Sequence, residues 1–194
     1  MYKLCKTEQS TKRQREIEEN LLTLLEIKHY ESITITELCE KCGMPRKTFY
    51  RYFDSKDSAL YALIDHTCQS YSGLAMEKSR KKRTLTEEMT DFFVFWKEQK
   101  RLLDALAKSD LLPKILESSL NFPIKEFLSV SKFLPHETSW ERTQIFKFAV
   151  GGLLILMIDW YKRGFKETPT AMGGVAAKIL GSQLFSKLDE IGLY

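Results

Sequence analysis

Residues 34–56 read TITELCEKCGMPRKTFYRYFDSK, and this short span holds a helix start, a helix stop and a second helix start. Thr34-Ile35-Thr36-Glu37 has the capping-box pattern, in which a hydroxyl and a carboxylate satisfy the free N–H groups of a helix N-terminus. Ile35, Leu38, Cys39 and Cys42 then share one helical face. Gly43 suits the left-handed residue that closes such a helix. Pro45 suits the first turn of the next one. Phe49 and Phe53, four apart, anchor that second helix to a core. Asp54-Ser55 ends it, and Ser55 caps a further helix. Two short helices joined across a glycine turn match a helix-turn-helix.

In that motif the second helix lies in the DNA major groove with its N-terminal residues at the base edges. Arg46, Lys47 and Thr48 hold those positions here. Arginine can pair with guanine through two hydrogen bonds, and threonine can touch a thymine methyl. Tyr50 and Tyr52 offer a ring and a hydroxyl to the sugar-phosphate backbone. Lys56 opens the following helix, where a docked phosphate would meet free N–H groups and a cation together.

The span from about Lys12 to Ile64 resembles the DNA-binding domain of the TetR (tetracycline-repressor-like) family of bacterial transcriptional regulators. Tyr30, Thr34 to Leu38, Gly43, the run Thr48-Phe49-Tyr50-Arg51-Tyr52-Phe53, Ser55-Lys56 and Leu60 carry the resemblance. It implies contact with double-stranded DNA through Thr36, Arg46, Lys47, Thr48, Tyr50, Tyr52 and Lys56. Three positions depart from the family pattern. His29 replaces the usual glycine, so a left-handed conformation is expected at a residue with a side chain. Pro45 replaces the usual capping serine. Cys39 and Cys42 replace the usual alanines.

The two cysteines raise metal and redox readings as well. A structural zinc site needs four ligands, and Cys5, Cys68, His29, His66 and His136 supply no second pair at knuckle spacing. Cys39 and Cys42 are therefore read as small packing residues, which free cysteine resembles physically. A buried thiol is expected to titrate high and react slowly. His66 and Cys68 are read as a helix-surface residue and a core residue.

Elsewhere helical spacing recurs and strand alternation does not, so the expected fold is all-α with about nine helices. The division expected is a helix-turn-helix DNA-binding domain over residues 1–65 and a helical effector-binding and dimerisation domain over 66–194. A first helix carries Ile17, Leu21, Leu24 and Leu25. A fourth runs long after Ser55. A fifth follows the capping box at Thr84 and reaches Leu106, a short sixth is limited by Pro113, and a seventh starts at Pro123. An eighth spans 139–164, and a ninth runs from Pro169 to near Gly192. Residues 78–83, KSRKKR, form a polar boundary, read as a solvated end ahead of an extra phosphate contact.

Charge follows the same division. Residues 1–83 hold 16 Lys and Arg against 12 Asp and Glu, whereas residues 84–194 hold 14 of each. The polar N-terminus carries no secretory signal, so a cytoplasmic protein with free thiols is expected. The apolar run at 148–158 is shorter than the roughly 20 residues a membrane span needs, so no membrane partner is expected.

One recognition helix reads only a few base pairs, so a homodimer on two half-sites is expected. The resemblance places its interface on the last two helices, with Gly151, Gly152, Ile155, Ala176, Ile179 and Leu184 as candidates. Phe92, Phe93, Trp96, Phe127, Phe148 and Trp160 are candidates to line a pocket for a small apolar or aromatic effector. Asp159 is read either as a polar handle in that pocket or as a solvent-facing residue. No catalytic set, glycine-rich phosphate loop, metal site or cofactor motif is recognisable, and no enzyme is expected. The function expected is a ligand-responsive repressor on a pseudo-palindromic operator. The alternatives are a protein-binding adaptor or a thiol-responsive regulator on the same fold.

Overall fold

The structure is a computed structural model and describes residues 2, 3, 5, 7–78, 82–120 and 139–181. Apart from an isolated antiparallel bridge between Tyr2 and Phe53, the regular structure among these residues is helical. The helices are α1 (Glu8–Ile27), α2 (Ile35–Lys41), α3 (Arg46–Phe49), α4 (Lys56–Lys78), α5 (Leu85–Glu98), α6 (Lys100–Ala107), α7 (Pro113–Leu120), α8 (Ser139–Lys162) and α9 (Pro169–Leu180). A one-turn 3-10 helix, Tyr30–Ser32, joins α1 to α2. The expected fifth helix is two helices, because the chain breaks at Gln99, whose N–H bonds back to the carbonyls of Phe95 and Trp96 at 3.2 Å. The expected seventh helix, Phe127, Leu184 and the end of the ninth helix lie outside the described residues.

Local chemistry sets the helix starts. Thr7 and Ser10 cap α1 reciprocally, as do Ser55 and Ser58 at α4 and Thr84 and Glu87 at α5. Thr168 caps α9 ahead of Pro169 at its first position.

The described residues form two compact units. The first comprises those up to Gln69 together with Arg101–Ser119. Its core holds Ile17, Leu21 and Leu25 of α1, Leu38 of α2, Phe49, Phe53, and Leu60 and Ile64 of α4. The later segment is tied in by long-range polar contacts. Ser109 Oγ accepts the Tyr30 N–H at 2.8 Å, and Arg101 Nε donates to Glu26 at 2.8 Å. His66 belongs to this core too. It is buried rather than on the helix surface, because Glu18, 48 residues earlier, meets its Nδ1 at 2.9 Å.

The second unit comprises the described residues of Ser70–Lys100 and those beyond Ser119. Phe92, Phe93, Phe95 and Trp96 of α5 are buried in it, as are Leu154, Met157 and Trp160 of α8. Thr143–Lys162 of α8 is long and apolar enough to cross a membrane by length and composition, with a mean hydropathy of 1.4. This apolar stretch is longer than the run at 148–158 suggested. One face of it is accounted for by Leu154, Met157 and Trp160, which are buried inside the unit.

Candidate nucleic-acid interface

The interface is built from α2, a tight turn and α3. Thr34 Oγ1 accepts the Glu37 N–H at 3.1 Å, forming half of the expected capping box. The Glu37 carboxylate turns instead to Lys28 Nζ, 2.5 Å away. At the other end Gly43 takes φ +59°. Its N–H bonds the carbonyl of Glu40, and the Met44 N–H bonds that of Cys39, both at 3.0 Å. These two bonds form a Schellman closure, and Met44 and Cys39, the residues it joins, are both buried.

Pro45 is the N-cap of α3 rather than its first residue, and it gives no side-chain cap. The α-helix covers only Arg46–Phe49. Tighter turns follow, the Arg51 N–H reaching Thr48 and the Tyr52 N–H reaching Phe49. Phe49 and Phe53 are fully buried, with ring centroids 5.5 Å apart. They hold the inner face of the element. Arg46, Lys47 and Tyr50 stand on the exposed face, and Thr48 and Tyr52 are half-buried. Arg46 donates to the Tyr50 hydroxyl at 3.2 Å. Thr36 is exposed on α2.

Lys56 is half-buried, with its ammonium on the carbonyls of Tyr30 at 2.7 Å and Ile33 at 2.8 Å. It also sits 4.1 Å from the centre of the Tyr30 ring. An ammonium has three N–H groups, so one is left for an outside acceptor. His29 is extended at φ −66°, against the left-handed conformation expected of it; the 3-10 turn that starts at Tyr30 makes the bend instead. Tyr2 and Lys3 lie against the end of α3 and were not foreseen. Residues ahead of the first helix carry no periodic signal that could have marked them.

Burial pushes the Cys39 thiol up, and pushes those of Cys42 and Cys68 to about 11 and about 12. Cys39 and Cys68 are buried and Cys42 is half-buried, and none of the four cysteines forms a disulfide.

The second unit brings several of the pocket candidates together. Phe92 and Phe93 meet edge-on at 5.2 Å, Phe93 meets Trp160 at 5.5 Å, and Phe92 lies 6.4 Å from Trp96. Tyr71 adds a ring at 5.4 Å from Phe92. The Trp160 indole donates to the Glu167 carbonyl at 3.1 Å, whereas the buried Trp96 Nε1 has no hydrogen-bond partner among the described residues. Phe148 stands on a different face of α8 and is 69% exposed. Ile145, Phe148, Gly152 and Ile155, spaced three or four apart, make an exposed stripe in which Ile155 is 60% exposed. A Cβ at Gly151 or Gly152 would meet nothing within 4 Å. Ala176 is buried and Ile179 half-buried. Asp159 faces solvent and pairs with Arg163 at 2.8 Å.

Residues 22–63 match the model of a family described as bacterial regulatory proteins, tetR family. The HTH-type transcriptional regulator EthR of Mycolicibacterium smegmatis is 45% identical over 42 residues, which are 22% of this chain and 19% of that protein. The match thus spans about a fifth of the curated relative. Among solved structures, the fatty acid degradation regulator FadR from Bacillus halodurans is similar with a TM-score of 0.61 at 15% identity, covering 93% of this chain and 98% of that one. FadR from Bacillus subtilis, solved in complex with stearoyl-CoA, follows at 0.58 and 16%, covering 87% and 97%. A tetR-family regulator from Streptomyces coelicolor gives 0.55 and 14%, covering 93% and 83%. At such identities the structural likeness speaks for the all-α fold.

Proposed function

We propose that the chain is a TetR-family transcriptional regulator, and that it works as a dimeric, effector-released repressor of a pseudo-palindromic operator. The observation that carries the reading is the two-sidedness of α3. Phe49 is fully buried while Arg46, Lys47 and Tyr50 face outward, as a helix presented to a major groove requires. Arg46, Lys47 and Thr48 read base edges; Thr36, Tyr50, Tyr52 and the third N–H of Lys56 hold the sugar-phosphate backbone. Residues 1–65 serve as the DNA-binding domain, and residues 66–194 serve effector binding and dimerisation.

The exposed stripe of α8 supports a second copy as its occupant, since Ile145, Phe148 and Ile155 would otherwise meet water. The aromatic cluster around Phe92 and Trp96 supports an apolar effector. FadR from Bacillus subtilis was solved with stearoyl-CoA, and a long acyl chain is the effector class we assign here. The unpartnered Trp96 N–H would take an acceptor atom of that ligand. An effector that favours the geometry unable to bind DNA lowers operator affinity by the same coupling. The raised thiols weigh against a thiol-responsive regulator, and the outward cations of α3 weigh against a protein adaptor. The reading involves no catalysis and places the protein in the cytoplasm.

The test is fluorescence anisotropy with DNA flanking the chain's own gene, against a scrambled duplex, at several salt concentrations. Preference for the native fragment with a steep salt slope is expected. Arg46→Ala should cost about 1–3 kcal/mol and relax sequence preference. Equal binding to both duplexes by the unaltered protein would remove the operator reading.

A further inference from the structure

We infer that Tyr2 and Lys3 form a strap that fixes where the recognition element ends, and that Tyr2 is a positioning residue for base reading. The inference rests on the proposed role of α3. That helix spans four residues and lacks a side-chain cap. A helix so short does not hold itself, and its end leans on the turns that follow, where the Arg51 N–H bonds the Thr48 carbonyl and the Tyr52 and Phe53 N–H groups bond that of Phe49.

The segment ahead of α1 bonds the carbonyls of those following turns. The Lys3 N–H donates to the Tyr52 carbonyl at 3.1 Å, and Lys3 Nζ donates to the Tyr50 carbonyl at 3.0 Å. Tyr2 pairs with Phe53 in the antiparallel bridge. The strap is anchored at its far side as well. The Tyr2 hydroxyl donates to Asp65 of α4, and its ring stands edge-on to His66 at 5.1 Å. Asp65 is held by Gln69 Nε2 at 3.1 Å and by Ser118 Oγ at 3.3 Å. Gln14 Nε2 of α1 reaches the Lys3 carbonyl at 3.4 Å. Two residues thus link the exit of α3 to α1 and α4.

The consequence for reading is direct. The carbonyl held by Lys3 belongs to Tyr50, whose hydroxyl accepts from Arg46. Loosening the strap frees the backbone that aims both side chains. Tyr2→Phe removes one hydroxyl and leaves the charge facing DNA unchanged, so it separates aiming from phosphate attraction. Lys3→Ala removes a cation too, and Lys3→Arg restores both cation and donor.

The experiment uses the full chain, with amide hydrogen exchange by NMR and anisotropy titrations on the same variants. In Tyr2→Phe the amides of Lys3, Tyr52 and Phe53 should exchange at least about fivefold faster, as local opening demands. Affinity for the gene-flanking duplex should fall about three- to tenfold, while affinity for the scrambled duplex and the melting temperature stay level. Lys3→Arg should recover the loss seen in Lys3→Ala. Unchanged exchange in Tyr2→Phe overturns the strap. Equal losses on both duplexes in step with a lower melting temperature overturn the positioning role and leave a merely structural one. If the unaltered protein does not discriminate the duplexes, the DNA reading has failed, and exchange alone then decides whether the strap exists.

Discussion

The two compact units of this chain are specified in different ways. In the first, the positions proposed to meet DNA depend on backbone devices at fixed places: the Thr34 cap, the left-handed Gly43 and the Schellman bonds of Gly43 and Met44. The family match, residues 22–63, lies wholly within it. In the second, four neighbouring aromatic residues of α5 and an exposed apolar stripe of α8 do the specifying. The difference teaches what each proposed partner would demand. A DNA duplex has one shape, so residue type and spacing are narrowly constrained. An apolar ligand or a flat helix face asks only for apolar volume, which many sequences supply.

The largest test of this contrast is Phe49→Ala. It should destabilise the first unit by about 3–5 kcal/mol in chemical denaturation, as emptying a fully buried aromatic site does. Operator binding should be lost with it. Phe148→Glu, in the second unit, should leave the single chain's melting nearly unchanged yet weaken self-association by about 2 kcal/mol or more. Analytical ultracentrifugation reads that shift, and a dimer unaffected by the charge would move the interface off the α8 stripe. Gly173→Ala should cost about 1–3 kcal/mol by overpacking. A Cβ there would stand 2.6 Å from the Thr90 nitrogen and 2.8 Å from its Cα. The smallest effect concerns the thiols. Cys39 and Cys68 should resist alkylation at neutral pH until the first unit unfolds, followed by mass spectrometry. Rapid labelling of the folded chain would reopen a redox role.

What was legible in the sequence was local. Gly43, the inward Phe49 and Phe53 and the break ahead of Lys56 follow from residues within one or two turns of each other. Pro45 fell one place early, because its fixed φ suits both the N-cap and the first helical position. The rest depended on distant partners. Helix-dipole reasoning aimed Lys56 at phosphate, but the carbonyls it binds belong to Tyr30 and Ile33, 26 and 23 residues away. The return of Arg101–Ser119 to the first unit rests on contacts such as Ser109 with Tyr30, which no helical period encodes. The aromatic cluster was visible as composition, yet its pairings, and the separation of Phe148 from them, were not.

Gly173 and Thr90 have a mechanical consequence. With no side chain on Gly173, α9 is seated directly on Thr90 of α5, like a key against a stop. A side chain at Gly173 would have to lift one helix off the other. On the reading proposed above, a molecule lodged among the aromatic rings of α5 would pass its push to α9 through this contact.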